Sequence, residues 1–349
     1  GEYRVNLPDG RTQIVTYSVA DEYRGYEADV KYEGDDQYHE YKPDTVFLAA
    51  AKVGGILAGD DYHKDWPLVI KTVNEFINQT NFNLNLTLQQ YSKLFDDFSK
   101  NIKQGKTYQI KIAQTYSKKG NINAIDLFWK LMQINESPES FLIRDKGYSI
   151  ISCSPETLLL KKGDLIKTKP IAGTLRKTKK INHNKALTFF RRNEKETKEH
   201  NMIVDMERND LSKICKTGSV KIDKLKTVEE YRDLFHYVTT IKGVLKNKIT
   251  NHDIISSLMP GGSVIGCPKI STIQLLNKKE KSDRNIYTGS FGIIHSNGDM
   301  RFNIMIRTLL NFKNAIELSV ASGVILGSTA KKEYNENYIK AKSLLDLFN

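Results

Sequence analysis

Two Glu-x-x-Glu steps are the first candidates for chemistry in this chain: Glu196 with Glu199, followed by His200, and Glu333 with Glu336, followed four residues later by Lys340. On a helix, a spacing of three places both carboxylates of a pair on one face. Two such pairs on facing helices make an oxygen-rich site suited to Mg²⁺. The same spacing is common on solvated helix surface, where Glu336 and Lys340 would form only a local salt bridge. A second feature is Arg307, the single strong charge in the apolar run Asn303–Leu310. A buried arginine needs an anionic partner or a dense set of acceptors, and its planar fork matches a carboxylate. A small anionic substrate is the expectation.

Between these lies a glycine-rich turn, PGGSVIG over 260–266, able to aim backbone N–H groups at an anion. It is neither a Walker loop nor a dinucleotide fingerprint, since GKS/T and GxGxxG are both absent. KTKPIAGT at 167–174 is a strand-to-turn segment of similar flavour. His236 lies among Phe235, Tyr237 and Val238, where a packed core histidine is the plainer reading.

The elements that must position these residues form a mixed α/β pattern from Leu88 onward. Periodicity predicts helices over Tyr91–Gly105, Asn123–Asn135, Lys185–Met206 and Lys331–Phe348. Strands are expected over Tyr108–Tyr116 and Leu165–Thr168, with a hairpin over Phe141–Leu160. The lysine-rich stretches 176–185 and 216–226 read as solvated loops. Trp66–Phe82 reads as a short helix, and Thr45–Leu57 is apolar and Ala/Gly-rich.

At 349 residues the chain is long enough for one large domain or two ordinary ones. No apolar run reaches the roughly 18–20 residues of a membrane span, and no signal peptide is visible. The net charge is +12, but the basic residues are mostly lysines spread along the chain, which argues against a nucleic-acid groove. Cys153, Cys215 and Cys267 are far apart without CxxC spacing, so neither a zinc site nor a disulfide framework is expected. Residues 1–45 hold 5 basic and 11 acidic residues and 7 of the 17 tyrosines. That shift places a boundary near Pro43 and divides the chain into 1–44, an unassigned 45–87, and 88–349.

The first piece has short strand-like runs around a PDG turn at 8–10, and a β-meander with a tyrosine-rich face (Tyr17, Tyr26, Tyr32) is expected. Its wording, LPDGR, then YxxAD, then GY, resembles the chitin-binding consensus of arthropod cuticle proteins. The resemblance implies chitin as a partner and an extracellular address.

From about Leu88 onward the chain resembles the chorismate-utilising enzymes. The matching blocks are TYQIKIAQ (107–114), SPE (154–156), PIAGT (170–174), EHNMIVDMERNDL (199–211), FHYVTTIKG (235–243), GGSVIGCPK (261–269), YTGSFG (287–292), NIMIRT (303–308) and EYNENYIKAKSLL (333–345). They stand in the family's order. The resemblance implies an α+β fold: a two-sheet β-sandwich flanked by helices, as in anthranilate synthase component I. It also implies roles. Glu199 and Glu336, with Glu196 and Glu333 behind them, would hold Mg²⁺ at the ring carboxylate of chorismate. Tyr287 and Arg307 would grip the enolpyruvyl carboxylate. Ser263 and the backbone at Gly323 would add hydrogen bonds, and Lys269 and Lys340 would balance the acidic pocket. Glu156 would protonate the departing 4-hydroxyl, with His236 beside the ring. Ala172 and Thr174 would be catalytic-site positions. Two departures from the pattern are Gly327-Ser328, usually Asp-Ser, and Cys153, usually Arg.

Gln109 bears on the nucleophile. The water-using members are similar to one another in carrying a lysine base at this point, and glutamine cannot serve as one. Ammonia is therefore expected. No cysteine here sits in a nucleophile-elbow context, so a separate glutamine amidotransferase subunit or free ammonium would supply it. MIVDMERNDL, GGSVIGCPK and YTGSFG look most like aminodeoxychorismate synthase component I. Ala172 instead favours anthranilate synthase, since many aminodeoxychorismate synthases carry a nucleophilic lysine there. Chorismate chemistry implies a cytoplasmic enzyme. That conflicts with the cuticle-like address, and a chimeric chain is the expectation drawn from the conflict. An inert C-terminal piece on a structural chitin-binding protein is the alternative of another class.

Overall fold

The computed structural model describes residues 2–6, 12–19, 26–33, 82–135, 137–177, 181–231 and 234–348. The expectations for Thr45–Leu57 and most of Trp66–Phe82 lie outside them. The chain divides into two compact units, Gly1–Thr45 and Val46–Asn349.

In the first unit β1 (Glu2–Asn6), β2 (Thr12–Val19) and β3 (Tyr26–Glu33) form an antiparallel sheet in that order. Glu2 pairs with Thr16, and Tyr17 pairs with Ala28. The β-meander expected from alternation is thus present. With Gln13 opposite Tyr32 and Val19 opposite Tyr26, positions 17, 26 and 32 fall on one face of the sheet.

The second unit contains two seven-stranded antiparallel sheets with helices against them. One sheet contains β5 (Gln109–Lys119), β6 (Glu139–Asp145), β7 (Tyr148–Ser154), β13 (Gly266–Cys267), β16 (Thr308–Phe312) and β17 (Ala315–Ile325), ordered β13-β5-β17-β16-β7-β6, with the short β4 (Asn83–Leu84) on β5. The other contains β8 (Thr157–Lys162), β9 (Leu165–Lys169), β10 (Ile171–Arg176), β12 (Leu234–Val244), β14 (Gly292–Ile294) and β15 (Met300–Asn303), ordered β10-β12-β9-β8-β15-β14, with β11 (Lys221–Glu230) on β12. The chain crosses between the sheets at Ser154–Thr157 and at Asn303–Thr308. Both crossings carry motif residues, Glu156 and Arg307. They are tied together: Ile304 N–H donates to the Glu156 carbonyl at 3.0 Å, Ser154 Oγ to the Ile304 carbonyl at 2.6 Å, and Cys153 N–H to the Arg307 carbonyl at 3.1 Å.

The helices are α1 (Leu88–Lys103), α2 (Ala124–Ile134), α3 (His183–Arg192), α4 (Glu194–Ile214), α5 (Asn251–Leu258), α6 (Lys269–Lys279) and α7 (Ala330–Leu345). A capping box of Thr87 and Gln90 starts α1, and Tyr91, Phe95, Phe98 and Ile102 form its buried stripe. The α1 stripe packs on β5, β17 and α7, where Tyr91 meets Tyr334 edge-on at 5.5 Å and bonds Ser322 Oγ at 2.9 Å. One core gathers Ile110, Ile112, Leu159, Ile203, Ile241 and Val324; a second, under α2 and α7, gathers Tyr116, Leu131, Ile151, Leu309 and Leu344. No helix among the described residues is long and apolar enough to cross a membrane.

Three sequence expectations need correction. The single helix over Lys185–Met206 is two, because Asn193 leaves helical geometry (φ −82, ψ 98) directly after Arg191 and Arg192 close α3. The hairpin over Phe141–Leu160 is β6 with β7 only; Pro155 redirects the chain and β8 joins the other sheet. The lysine-rich 216–226 is not all loop: β11 begins at Lys221 as a bulged, half-exposed strand at the end of its sheet. Lysines and bulges are how proteins protect a sheet edge, and they erase the alternation that marks a strand.

Candidate active site

Strand β5 aims two polar side chains, two residues apart, to the same side. Gln109 Nε2 and Lys111 Nζ each reach Glu199 Oε1 of α4 at 2.5 Å. All three are buried, Lys111 with 1% of its surface exposed. Opposite Lys111 in the β5–β17 ladder stands Gly323. A Cβ at Gly323 would lie 2.6 Å from Lys111 Nζ and 2.9 Å from both Gln109 Nε2 and Glu199 Oε1. Only glycine leaves that space open. On α7, Glu336 accepts from Lys340 Nζ at 2.5 Å, and the same ammonium donates to the Ala321 carbonyl at 2.9 Å. Burial lowers the Lys340 pKa to about 8; Glu336 opposes that shift, Lys111 reinforces it, and Glu199 opposes it again. Lys340 therefore feels both carboxylates, one from each helix. Glu333 is buried one turn before Glu336 and acts with it on the Tyr91 hydroxyl, whose pKa burial raises first. Glu196 lies on α4, but its side chain is outside what the structure describes.

The second cluster forms around the sheet crossings. Glu156 is buried to 1% exposure, and burial pushes its carboxyl up to about 7. The Ser263 hydroxyl, the Ile171 amide, Lys111 and Arg307 pull the other way. Neither carboxyl oxygen of Glu156 nor Ser263 Oγ completes a hydrogen bond of normal geometry within the protein. Ser263 sits in the 3-10 turn Gly262–Val264 of the glycine-rich segment. Arg307 has φ +50, keeps part of its surface accessible, and forms no ion pair among the described residues. Burial lowers its pKa to about 10, against Cys153 and Glu156. His236 of β12 is fully buried and pushed down to about 3, first by burial and then by Arg307, while the Gly173 backbone opposes. It is neutral at pH 7. Tyr287 is buried, and burial raises its hydroxyl above the ordinary range. Ala172 and Thr174 lie on β10, with Thr174 paired to His236 in the ladder; their side chains are outside what the structure describes.

Lys269 faces a different set of acids from Lys340. It pairs with Asp210 of α4 and donates to the Leu258 carbonyl at 3.1 Å. It also acts on Glu207, a buried carboxyl pushed up to about 8, chiefly by burial, with Glu156 and Asp210 adding to the rise. Gly327 takes φ +92, and Ser328 Oγ accepts from the Ile325 amide at 3.2 Å, so the glycine in this departure fits a left-handed turn. Cys153 is buried and donates to the Asn135 carbonyl at 2.5 Å.

Sequence reasoning overlooked Lys111, Glu207 and Arg284. Lys111 had a usable signal, since it lies two residues from Gln109 on one strand and must share its face. Arg284 had none. It is buried, pairs with Glu280 and donates to the Lys111 carbonyl at 2.9 Å, fixing β5 from behind.

Among the described residues no three His, Cys, Asp or Glu side chains converge as a metal cluster. Mg²⁺ is commonly held by only one or two carboxylates, with water and substrate oxygens completing its shell. Glu199 and Glu336, all-oxygen donors on two helices sharing the field of Lys340, fit that chemistry.

A family model described as chorismate binding enzyme matches residues 23–346. The match starts well before the first of the sequence blocks. The chain is 34% identical over 252 residues to aminodeoxychorismate synthase component 1 of Bacillus subtilis (strain 168), covering 72% of this chain and 54% of that protein. It is 33% identical over 270 residues to an anthranilate synthase component 1 of Haloarcula marismortui, covering 77% and 55%. The chain spans about half the length of the curated relatives it matches. Among solved structures it is similar to anthranilate synthase component I from Streptococcus pneumoniae TIGR4, with TM-score 0.71 and 23% identity over 97% of this chain and 93% of that one. It is also similar to the menaquinone-specific isochorismate synthase MenF from Escherichia coli, with TM-score 0.69 and 20% identity over 77% and 62%. At those identities the likeness shows the fold: a helix-flanked, two-sheet architecture of the anthranilate synthase component I type.

Proposed function

The chain belongs to the chorismate binding enzyme family, and from that premise we propose that it aminates chorismate with ammonia to 4-amino-4-deoxychorismate, as an aminodeoxychorismate synthase component I. The observation that carries an amination chemistry is the pairing of Gln109, not a base, with Glu199, beside a buried Glu156 whose pKa of about 7 keeps it substantially protonated at neutral pH. Glu156 would give its proton to the departing 4-hydroxyl, so that the group leaves as water. Arg307 would receive the enolpyruvyl carboxylate, supported by Tyr287 and Ser263, because its guanidinium forms no ion pair among the described residues. His236 would line the ring as a neutral imidazole.

Glu199 and Glu336, with Glu196 and Glu333 behind them, would hold Mg²⁺. When bound, the ion would supply positive charge that offsets the ring carboxylate. The backbone at Gly323 would leave room for that carboxylate, and Lys340 would balance the two acids. Ammonia would come from a separate glutamine amidotransferase subunit or from ammonium in solution. Chitin binding by residues 1–43 rests on the cuticle-like wording alone.

A second reading is favoured by Ala172. Without a lysine there, ammonia would attack the ring directly, and loss of pyruvate would then give anthranilate. The two kinds of relative stand at 34% and 33% identity, which supports neither over the other. Incubation with chorismate, ammonium and Mg²⁺, followed by a pyruvate assay, separates the readings. Ring amination without pyruvate is expected. Stoichiometric pyruvate with fluorescent anthranilate selects the second reading, and no chorismate consumption overturns both.

A further inference from the structure

Lys111 lies inside the TYQIKIAQ block, yet the sequence reading gave it no role. Its ammonium is buried, 2.5 Å from Glu199 Oε1, at the place opened by Gly323. Its backbone is held from the far side by Arg284. Its charge also reaches Glu156, Cys267 and Lys340. With Lys340 on Glu336, two ammoniums already offset two carboxylates. A divalent cation entering this arrangement meets two ammoniums, one of them already on the Glu199 oxygen it would ligate. Like charges in a low-dielectric site repel far more strongly than in water.

We infer that Lys111 is a positioning residue that occupies, on Glu199 Oε1, the place a divalent cation would take, and thereby weakens metal binding in the substrate-free protein. The inference rests on the metal reading of Glu199 and Glu336 above. Removing the ammonium while keeping the side-chain length should free Glu199 for the metal. Replacing it by another cation should not.

Titration calorimetry with Mg²⁺ alone, on the full chain without substrate, tests this. Lys111→Met is expected to bind Mg²⁺ at least about tenfold more tightly than the parent, and Lys111→Arg about as weakly as the parent. Thermal melts confirm that each variant is folded; should Lys111→Met not fold, Lys111→Gln carries the same test. Equal or weaker Mg²⁺ binding in the neutral variant overturns the inference. Glu199→Gln in the Lys111→Met background separates this failure from that of the metal reading. If the double variant binds as tightly as Lys111→Met, or if no protein in the series binds Mg²⁺, the metal assignment itself is wrong and the inference falls with it.

Discussion

The two halves of the site handle charge in opposite ways. Around Glu199 and Glu336, acids and ammoniums meet at 2.5 Å. Around Glu156 and Arg307 the carboxyl completes no hydrogen bond of normal geometry, and the guanidinium has no ion pair, among the described residues. Each region combines buried and half-buried groups, so the difference is not exposure. A carboxylate in contact with an ammonium can exchange one cation for another. Burial raises the Glu156 carboxyl to about 7, and an arginine without an ion pair is left to attract an anion. The contrast supports the proposed division, with cation holding in one half and proton transfer with anion capture in the other.

The largest test of the paired half is loss of its carboxylates. Glu199→Gln or Glu336→Gln is expected to bring turnover below detection, and EDTA should do the same to the parent. Full activity in EDTA would break the division of labour.

Next comes the proton donor. Glu156→Gln should lower kcat by roughly 10²–10⁴-fold, and parent kcat/KM should fall above about pH 7 as Glu156 loses its proton. The stability effect has the opposite sense. The folded carboxyl binds its proton more tightly than the unfolded one, so ΔG of unfolding falls as pH rises from the ordinary carboxylate range to about 7. Glu156→Gln should therefore stabilise the fold by about 1–3 kcal/mol in mildly alkaline solution and by little in acid. Paired melts at the two pH values check the sign; equal effects at both would mean that the carboxyl is not held protonated.

Arg307→Lys sharpens the anion half. Losing the bidentate fork while keeping the charge should raise KM for chorismate by about 10–100-fold, with a smaller change in kcat. An unchanged KM would move the carboxylate elsewhere. The smallest expected effect lies beside the Glu333 and Glu336 carboxylates: Tyr91→Phe removes the buried bond to Ser322 and should cost about 1 kcal/mol in denaturant unfolding, leaving KM unaltered.

Much of this was legible in one dimension. Resemblance to the family picked out SPE, PIAGT and NIMIRT, and helical spacing picked out the two Glu-x-x-Glu steps. Periodicity located α1 and α2, each with a buried stripe, and also α7, β5 and the N-terminal meander. Where local signals competed, the reading slipped: Asn193 splits a long polar helix, and a lysine-coated edge strand looks like a loop.

What the linear order could not contain was the matching of charges across distance. Lys111 and Glu199 are 88 residues apart, and their contact exists only because β5, β17 and α4 converge where Gly323 leaves space. Arg307 stood out in sequence as a lone charge in an apolar run, but nothing there tied it to Glu156. The double crossing between sheets buries Glu156 and half-buries Arg307 while keeping them out of a salt bridge. The amino acids determined which chemical groups were present. The tertiary structure decided which were paired and which were left to act, because desolvation and Coulomb energies depend on position in space rather than along the chain.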